Sequence, residues 1–121
     1  MRSVERRLER LVDGAVGRFF RGGLRPVEIG HRLVREMADS RSVGVKGQSL
    51  VANHFEVQLN ETDLARFTDV EESLVRELCE AAREAARDDG WNFMGPVQVV
   101  LIESADVRPG QLRVDARMKE A

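Results

Sequence analysis

"GRFFRGGLRPVEI", residues 17–29, decides how the first third of the chain folds. Upstream of it, Val4, Leu8, Leu11, Val12, Ala15, Val16, Phe19 and Phe20 recur at three- and four-residue spacings. That period predicts an amphipathic helix over residues 3–21, with most of the arginines on its other face. Gly22 and Gly23 can take the left-handed backbone that ends a helix. Pro26 suits the first turn of a new helix, where its missing N–H leaves nothing unpaired. Val27, Ile29, Leu33, Val34 and Met37 form the apolar side of that second helix, which runs to about Ser40. The stretch therefore reads as a helix end, a tight corner and a helix start.

Two adjacent phenylalanines are a large apolar commitment in a chain with five phenylalanines, one tryptophan and no tyrosine. Burying a Phe is worth about 1.5–3 kcal/mol, so at least one of the pair is expected in the core. The other would stand beside arginines. An aromatic ringed by arginine suits the centre of a protein interface. Arg18, Phe19, Phe20, Arg21 and Arg25 are accordingly the candidate interface.

Working outward, residues 41–49, "RSVGVKGQS", carry no period and two glycines, which predicts a mobile loop. In "HFEVQLN", Phe55, Val57 and Leu59 alternate with His54, Glu56 and Gln58, the pattern of a half-buried strand. Asn60 is expected to cap a short helix through "ETDLARF". Thr68 and Glu71 match a capping box. The helix opening there runs to about Asp89, burying Val70, Leu74, Val75, Leu78, Ala81, Ala82, Ala85 and Ala86, with Gly90 as its C-cap. "VQVVLIE", residues 97–103, is apolar on both faces and reads as the more central strand. "VRPGQ" puts Pro109 and Gly110 at the middle of a type II turn. "QLRVDARM" alternates again, with Leu112, Val114, Ala116 and Met118 on one face.

The expected architecture is a single α+β domain over residues 1–121. It has an N-terminal helical hairpin and a β-α-β-β unit with a small three-stranded sheet. The last two strands are expected to form a hairpin, and the partner of the first strand is open. No internal repeat interrupts the chain.

Its 121 residues carry a formal net charge of −2. The charge is unevenly spread: residues 1–25 are rich in arginine, and acids outnumber Arg66, Arg76, Arg83 and Arg87 in residues 61–90. Such a dipolar surface favours oriented docking over bulk attraction to nucleic acid. The single cysteine, Cys79, supplies no disulfide framework and fits a reducing cytoplasm. No run approaches the length of a membrane span. His31, His54 and Cys79 fall on separate elements without metal-ligand spacing. Acid pairs such as Glu71/Glu72 and Asp88/Asp89 read as solvated helix faces. No P-loop, dinucleotide fingerprint or nucleophile elbow is present, so neither enzyme activity nor a cofactor is expected.

"GVKG", Gly44 to Gly47, matches the G-x-x-G pattern with which KH domains clamp a nucleic-acid backbone. There the loop joins two helices, whereas here it leads into a strand. Arg41, Gly44, Lys46 and Gly47 make up the alternative, nucleic-acid reading, which predicts a steep loss of affinity with salt. A homodimer through the alanine-rich helix face or the Phe pair is also open.

Taken together, "VERRLERLVDGAVGRFFRGGLRPVEIGHRLVREM", "VANHFEVQLNETDLARF", "GWNFMGPVQVVLIES" and "PGQLRV", in that order, resemble the N-terminal domain of actinobacterial forkhead-associated (FHA) domain proteins. The resemblance covers nearly the whole chain, and its motifs are corners, strands and turns. It implies a non-catalytic interaction module of a cytoplasmic signalling adaptor, recruited to the inner face of the membrane. In such proteins a low-complexity linker and a phosphothreonine-binding FHA domain follow the module. It also implies a link to Ser/Thr kinase signalling and to control of wall synthesis and division, with partners drawn from those pathways. No FHA phosphopeptide-binding residue has a counterpart here.

Overall fold

A computed structural model describes residues 2–18 and 23–121. The order is α1 (Ser3–Asp13), α2 (Ala15–Arg18), α3 (Pro26–Asp39), β1 (Ser42–Val43), β2 (Ser49–Leu50), β3 (His54–Leu59), α4 (Glu61–Arg66), a 3-10 turn (Thr68–Val70), α5 (Glu71–Asp89), β4 (Gln98–Glu103) and β5 (Leu112–Arg117). The α+β class stands.

The first helix is shorter than its period predicts. It stops at Asp13 because Gly14 turns extended, and α2 then packs back on the last turn of α1. The approach is closer than any side chain allows. A Cβ at Gly17 would lie 2.4 Å from the Leu11 carbonyl oxygen and 2.5 Å from that of Val12. Val12, expected in the apolar stripe, is exposed. Helix α3 starts at Pro26 as its sequence predicts. α1 and α3 meet where a glycine permits it: a Cβ on Gly30 would sit 2.7 Å from a Leu8 methyl and 2.8 Å from a Leu11 methyl.

Several local signals hold. The Asn60 side chain accepts the Thr62 N–H at 2.9 Å and caps α4. Gly90 closes α5 in the left-handed conformation, φ 71°. The Gln111 N–H reaches the Arg108 carbonyl at 3.0 Å across Pro109 and Gly110, whose φ is +81°. The Thr68–Glu71 capping box does not form. Thr68 instead opens the 3-10 turn, and α5 begins at Glu71 with no side-chain cap.

Strand order departs from the expected hairpin. The three-stranded sheet runs β4-β3-β5, so β3 is central. β3 pairs parallel with β4 (Phe55 opposite Val99) and antiparallel with β5 (Phe55 opposite Ala116). The last two strands therefore never touch; residues 104–111 cross the end of β3 to join them. β4, read as central from its apolar run, is an edge strand. Its period is hidden because apolar Val100 and Ile102 lie on the face away from the helices. Residues 41–49 also form more than a loop: β1 and β2 pair as a small antiparallel hairpin.

Helices α3 and α5 cover one face of the sheet, and α1 packs on both of them from the far side. Leu8, Leu11, Leu24, Ile29, Leu33, Met37, Phe55, Val57, Leu59, Phe67, Leu74, Leu78 and Val114 fill the space between. Ala81, Ala82, Ala85 and Ala86 are buried in this same core. The alanine face of α5 is spent inside the domain and is not free for a homodimer.

Candidate interaction surfaces

At the corner, Arg25 is exposed ahead of α3. Its N–H donates to Glu28 Oε2 at 2.7 Å while its carbonyl accepts the Glu28 N–H at 3.0 Å. This reciprocal clamp fixes the start of α3. Gly23, at φ +65°, lies under the Arg66 guanidinium, where a Cβ would meet Nη1. Arg66 in turn is 3.4 Å from Asp63. The backbone of Arg18 ends α2. Phe19, Phe20 and Arg21 lie outside the described residues, so of the five candidate interface side chains only Arg25 is placed.

The Gly44–Gly47 loop is the turn of the β1–β2 hairpin. Its N–H groups are largely committed: Gly44 to the Gln48 carbonyl at 2.8 Å, Gly47 to the Gly44 carbonyl at 3.0 Å, and Lys46 to Gln48 Oε1 at 3.0 Å. A backbone clamp on phosphate needs those donors free. Arg41 and Lys46 remain exposed, and so do Val43 and Val45 at the tip.

The sheet face that no helix covers is polar along its middle. Its central row is His54, Glu56 and Gln58 of β3. Register places Arg117, Asp115 and Arg113 opposite them on β5, and Gln98, Val100 and Ile102 on β4. Gln58 organises the middle. Its Nε2 donates to Asp115 Oδ2 at 2.7 Å and to Glu56 Oε1 at 3.3 Å, while its Oε1 accepts from Arg113 at 3.3 Å. Glu56 and Asp115 stand directly opposite each other, a like-charge pair that costs stability unless bridged. The Gln58 amide supplies that bridge. A crevice of about 230 Å³ opens beside them, lined by His54, Glu56, Val100, Asp115, Arg117 and Lys119 among others. The arrangement offers donors, acceptors and apolar patches side by side, which is the chemistry of recognition.

Alternation along β3 and β5 marked which side chains share a face. It did not show that the two polar rows adjoin, because that depends on strand order. Among the described residues, no three of His, Cys, Asp and Glu converge as metal ligands. Burial pushes the Cys79 thiol up, opposed by Arg83 and the Val99 N–H, so it is a poor nucleophile.

Asp88 and Asp89, read as solvated, hold the start of α1. Asp88 accepts the Val4 N–H at 2.9 Å and the Ser3 N–H at 3.3 Å, and Arg2 donates to Asp89 at 2.5 Å.

Residues 1–115 match the family described as "FhaA, N-terminal domain". The curated "FHA domain-containing protein FhaA" of Mycobacterium tuberculosis (strain ATCC 25618 / H37Rv) is 30% identical over 111 residues. That match takes in 91% of this chain and 21% of the relative, so the chain spans about a fifth of that protein's length. A solved structure described as "Rv0020c_Nter structure" superposes with a TM-score of 0.77 at 24% identity, covering 87% of this chain and 80% of the other. It shares the α+β fold.

Proposed function

Because the chain belongs to the FhaA N-terminal domain family, we propose that it is a non-catalytic protein-interaction module of a bacterial signalling adaptor. The observation that carries this reading is the bare sheet face. The helices all lie on the other side of the sheet, and this face presents an ordered polar network beside exposed Val100. Ordered polar groups around apolar patches are what a protein partner can pair with and desolvate. In this reading the chain is the N-terminal module of a longer FHA-domain protein, as the curated relative's name and greater length support. It works in the cytoplasm, at the inner face of the membrane, among proteins of Ser/Thr kinase signalling and wall synthesis. The segment of Arg18, Phe19, Phe20, Arg21 and Arg25 is a second contact for the same partner. The committed N–H groups of the Gly44–Gly47 hairpin weigh against the nucleic-acid alternative.

The test is capture of partners from the native host's lysate, with and without nuclease, at low and moderate salt. The wild-type chain is compared with Glu56→Lys/Asp115→Lys on the sheet face and Glu9→Lys on exposed α1, all checked for folding by circular dichroism. Kinase-pathway or wall-synthesis proteins should be retained by the wild type and Glu9→Lys, regardless of nuclease, and lost by the double variant. Recovery that vanishes with nuclease, or that ignores the sheet-face change, overturns the reading.

A further inference from the structure

The two edges of the sheet are built differently. On β5, every second residue is charged: Arg113, Asp115 and Arg117. Such charges deter another strand from pairing there. On β4, Val99, Val100, Leu101 and Ile102 are all apolar, and charge appears only at Glu103. Within β4 the Gln98 N–H donates to the Asn53 carbonyl, and the Ser104 N–H just beyond it to the Leu59 carbonyl, both at 2.8 Å. Backbone groups alternate along a parallel pair. The even-numbered residues therefore face β3, and Val99, Leu101 and Glu103 turn theirs outward. The Val99 N–H meets the Cys79 sulfur. Beyond it, the outward groups of Leu101 and Glu103 have no backbone partner among the described residues. Beside this edge runs a groove of about 390 Å³, lined by Glu71, Glu72, Val75, Val99, Val100 and Leu101. Its rim carries more acid than base: Glu72 is almost fully exposed and 3.5 Å from Arg76, and Glu103 is exposed at the strand's end.

We propose that the outer edge of β4, together with the groove between it and the start of α5, takes an extended, lysine- or arginine-bearing segment of a partner protein as a fourth strand. This deepens the interaction-module reading and rests on it. Main-chain pairing to Leu101 and Glu103 supplies affinity, and alternate side chains reach the groove. Apolar residues would lie over Val75, Val99 and Leu101, and basic ones would meet Glu71, Glu72 and Glu103. The charge argues against a second copy. In a twofold pairing the same patch meets itself, so each acidic rim would face a partner carrying the same acids.

The probe is a blocked heptapeptide of alternating lysine and valine, titrated into the domain and followed by backbone amide NMR. Saturable shifts should cluster at Leu101, Glu103, Val75 and the first turn of α5. Glu71→Lys/Glu72→Lys should weaken binding at least tenfold, by lost attraction and added repulsion. The same peptide methylated on alternate backbone nitrogens should not bind. Leu101→Pro removes an outward donor and leaves the β3 ladder intact, so it should also abolish binding. If that variant fails to fold, the methylated peptide carries the point alone. Equal binding of the methylated peptide, shifts confined to the opposite sheet face, or no binding each overturns the proposal. So does a concentration-dependent dimer that uses this edge without peptide. Partner capture that survives Glu71→Lys/Glu72→Lys sinks the groove and leaves the interaction module standing. Heptapeptide pairing at β4 with no partner ever captured does the reverse.

Discussion

The middle of the sheet and its two ends are held by different forces. In the middle, Phe55, Val57 and Leu59 of β3, Val99 of β4 and Val114 of β5 are all buried beneath the helices. At the ends, polar side chains do the work. Asn53 is fully buried just before β3. Its Nδ2 donates to the Pro96 carbonyl at 3.0 Å and the Lys119 carbonyl at 2.8 Å, and its Oδ1 accepts the Lys119 N–H at 2.8 Å. Beyond the other end, buried Asp63 accepts the Gly110 N–H at 2.7 Å, and Asn60 donates to the Val107 carbonyl at 3.2 Å. Apolar burial is non-directional. It would be served as well by β4 beside β5. The clamps are directional, and each ties a segment flanking β4 or β5 to an end of β3. The middle gives the sheet most of its stability, and the ends decide which strand sits between which.

That contrast is sharpened first where the effect is largest. Phe55→Ala should cost about 3–5 kcal/mol by lost transfer energy and a residual cavity. Urea denaturation would show it, with strand order kept in whatever remains folded. Asn53→Leu preserves volume but orphans two carbonyls and an N–H. At about 1–3 kcal/mol per buried orphaned group, and with Lys119 at the surface, a total of about 2–3 kcal/mol is expected. Hydrogen exchange should quicken at Lys119 and Gln98 well before Val57. A uniform loss of protection would mean the clamp acts only as bulk. Asp63→Ala removes the charge-assisted bond from the Gly110 N–H and the longer contact from Arg66, and should cost about 1–2 kcal/mol, with faster exchange at Gly110. If Asp63→Ala proves costlier than Phe55→Ala, the division between middle and ends is wrong.

The same division explains what the chain disclosed in advance. Pro26, Asn60, Gly90 and the Pro109–Gly110 turn act on neighbours within a few residues, so their roles were legible. So was the polar side of β3, His54, Glu56 and Gln58, because a period of two is local. The break at Gly14 was not legible, since it depends on α2 lying against carbonyls of α1. Nor was the position of β4, whose two apolar faces mimic a central strand. Asn53 and Asp63 were missed because their partners lie 43–66 residues away. The candidate surface needed both pieces: alternation supplied the rows, and the clamps put those rows side by side.

A fourth polar seam extends the comparison to the helices, and its effect is the smallest at neutral pH. The residue before α1 is Arg2, whose side chain cannot accept a hydrogen bond, so the helix has no cap of its own. Asp88, from the end of α5, supplies one. The Val4 N–H is the main cause holding the Asp88 carboxyl below the usual carboxylate range, helped by Ser3 and Arg2 and opposed by desolvation. A carboxylate whose folded pKa is lowered contributes stability above its unfolded value, near 3.9. That contribution is lost as pH falls through the folded value. Wild-type stability should therefore fall more steeply than that of Asp88→Asn on acidification below about pH 4, so that the gap between them narrows. Paired urea titrations at neutral pH and near pH 3 would measure it. Identical acid slopes in the two proteins would mean that the carboxylate is not the cap. The docking of α1 would then rest on buried Val4, Leu8 and Leu11 and on the pairs that Arg2 and Arg7 make with acids of α5.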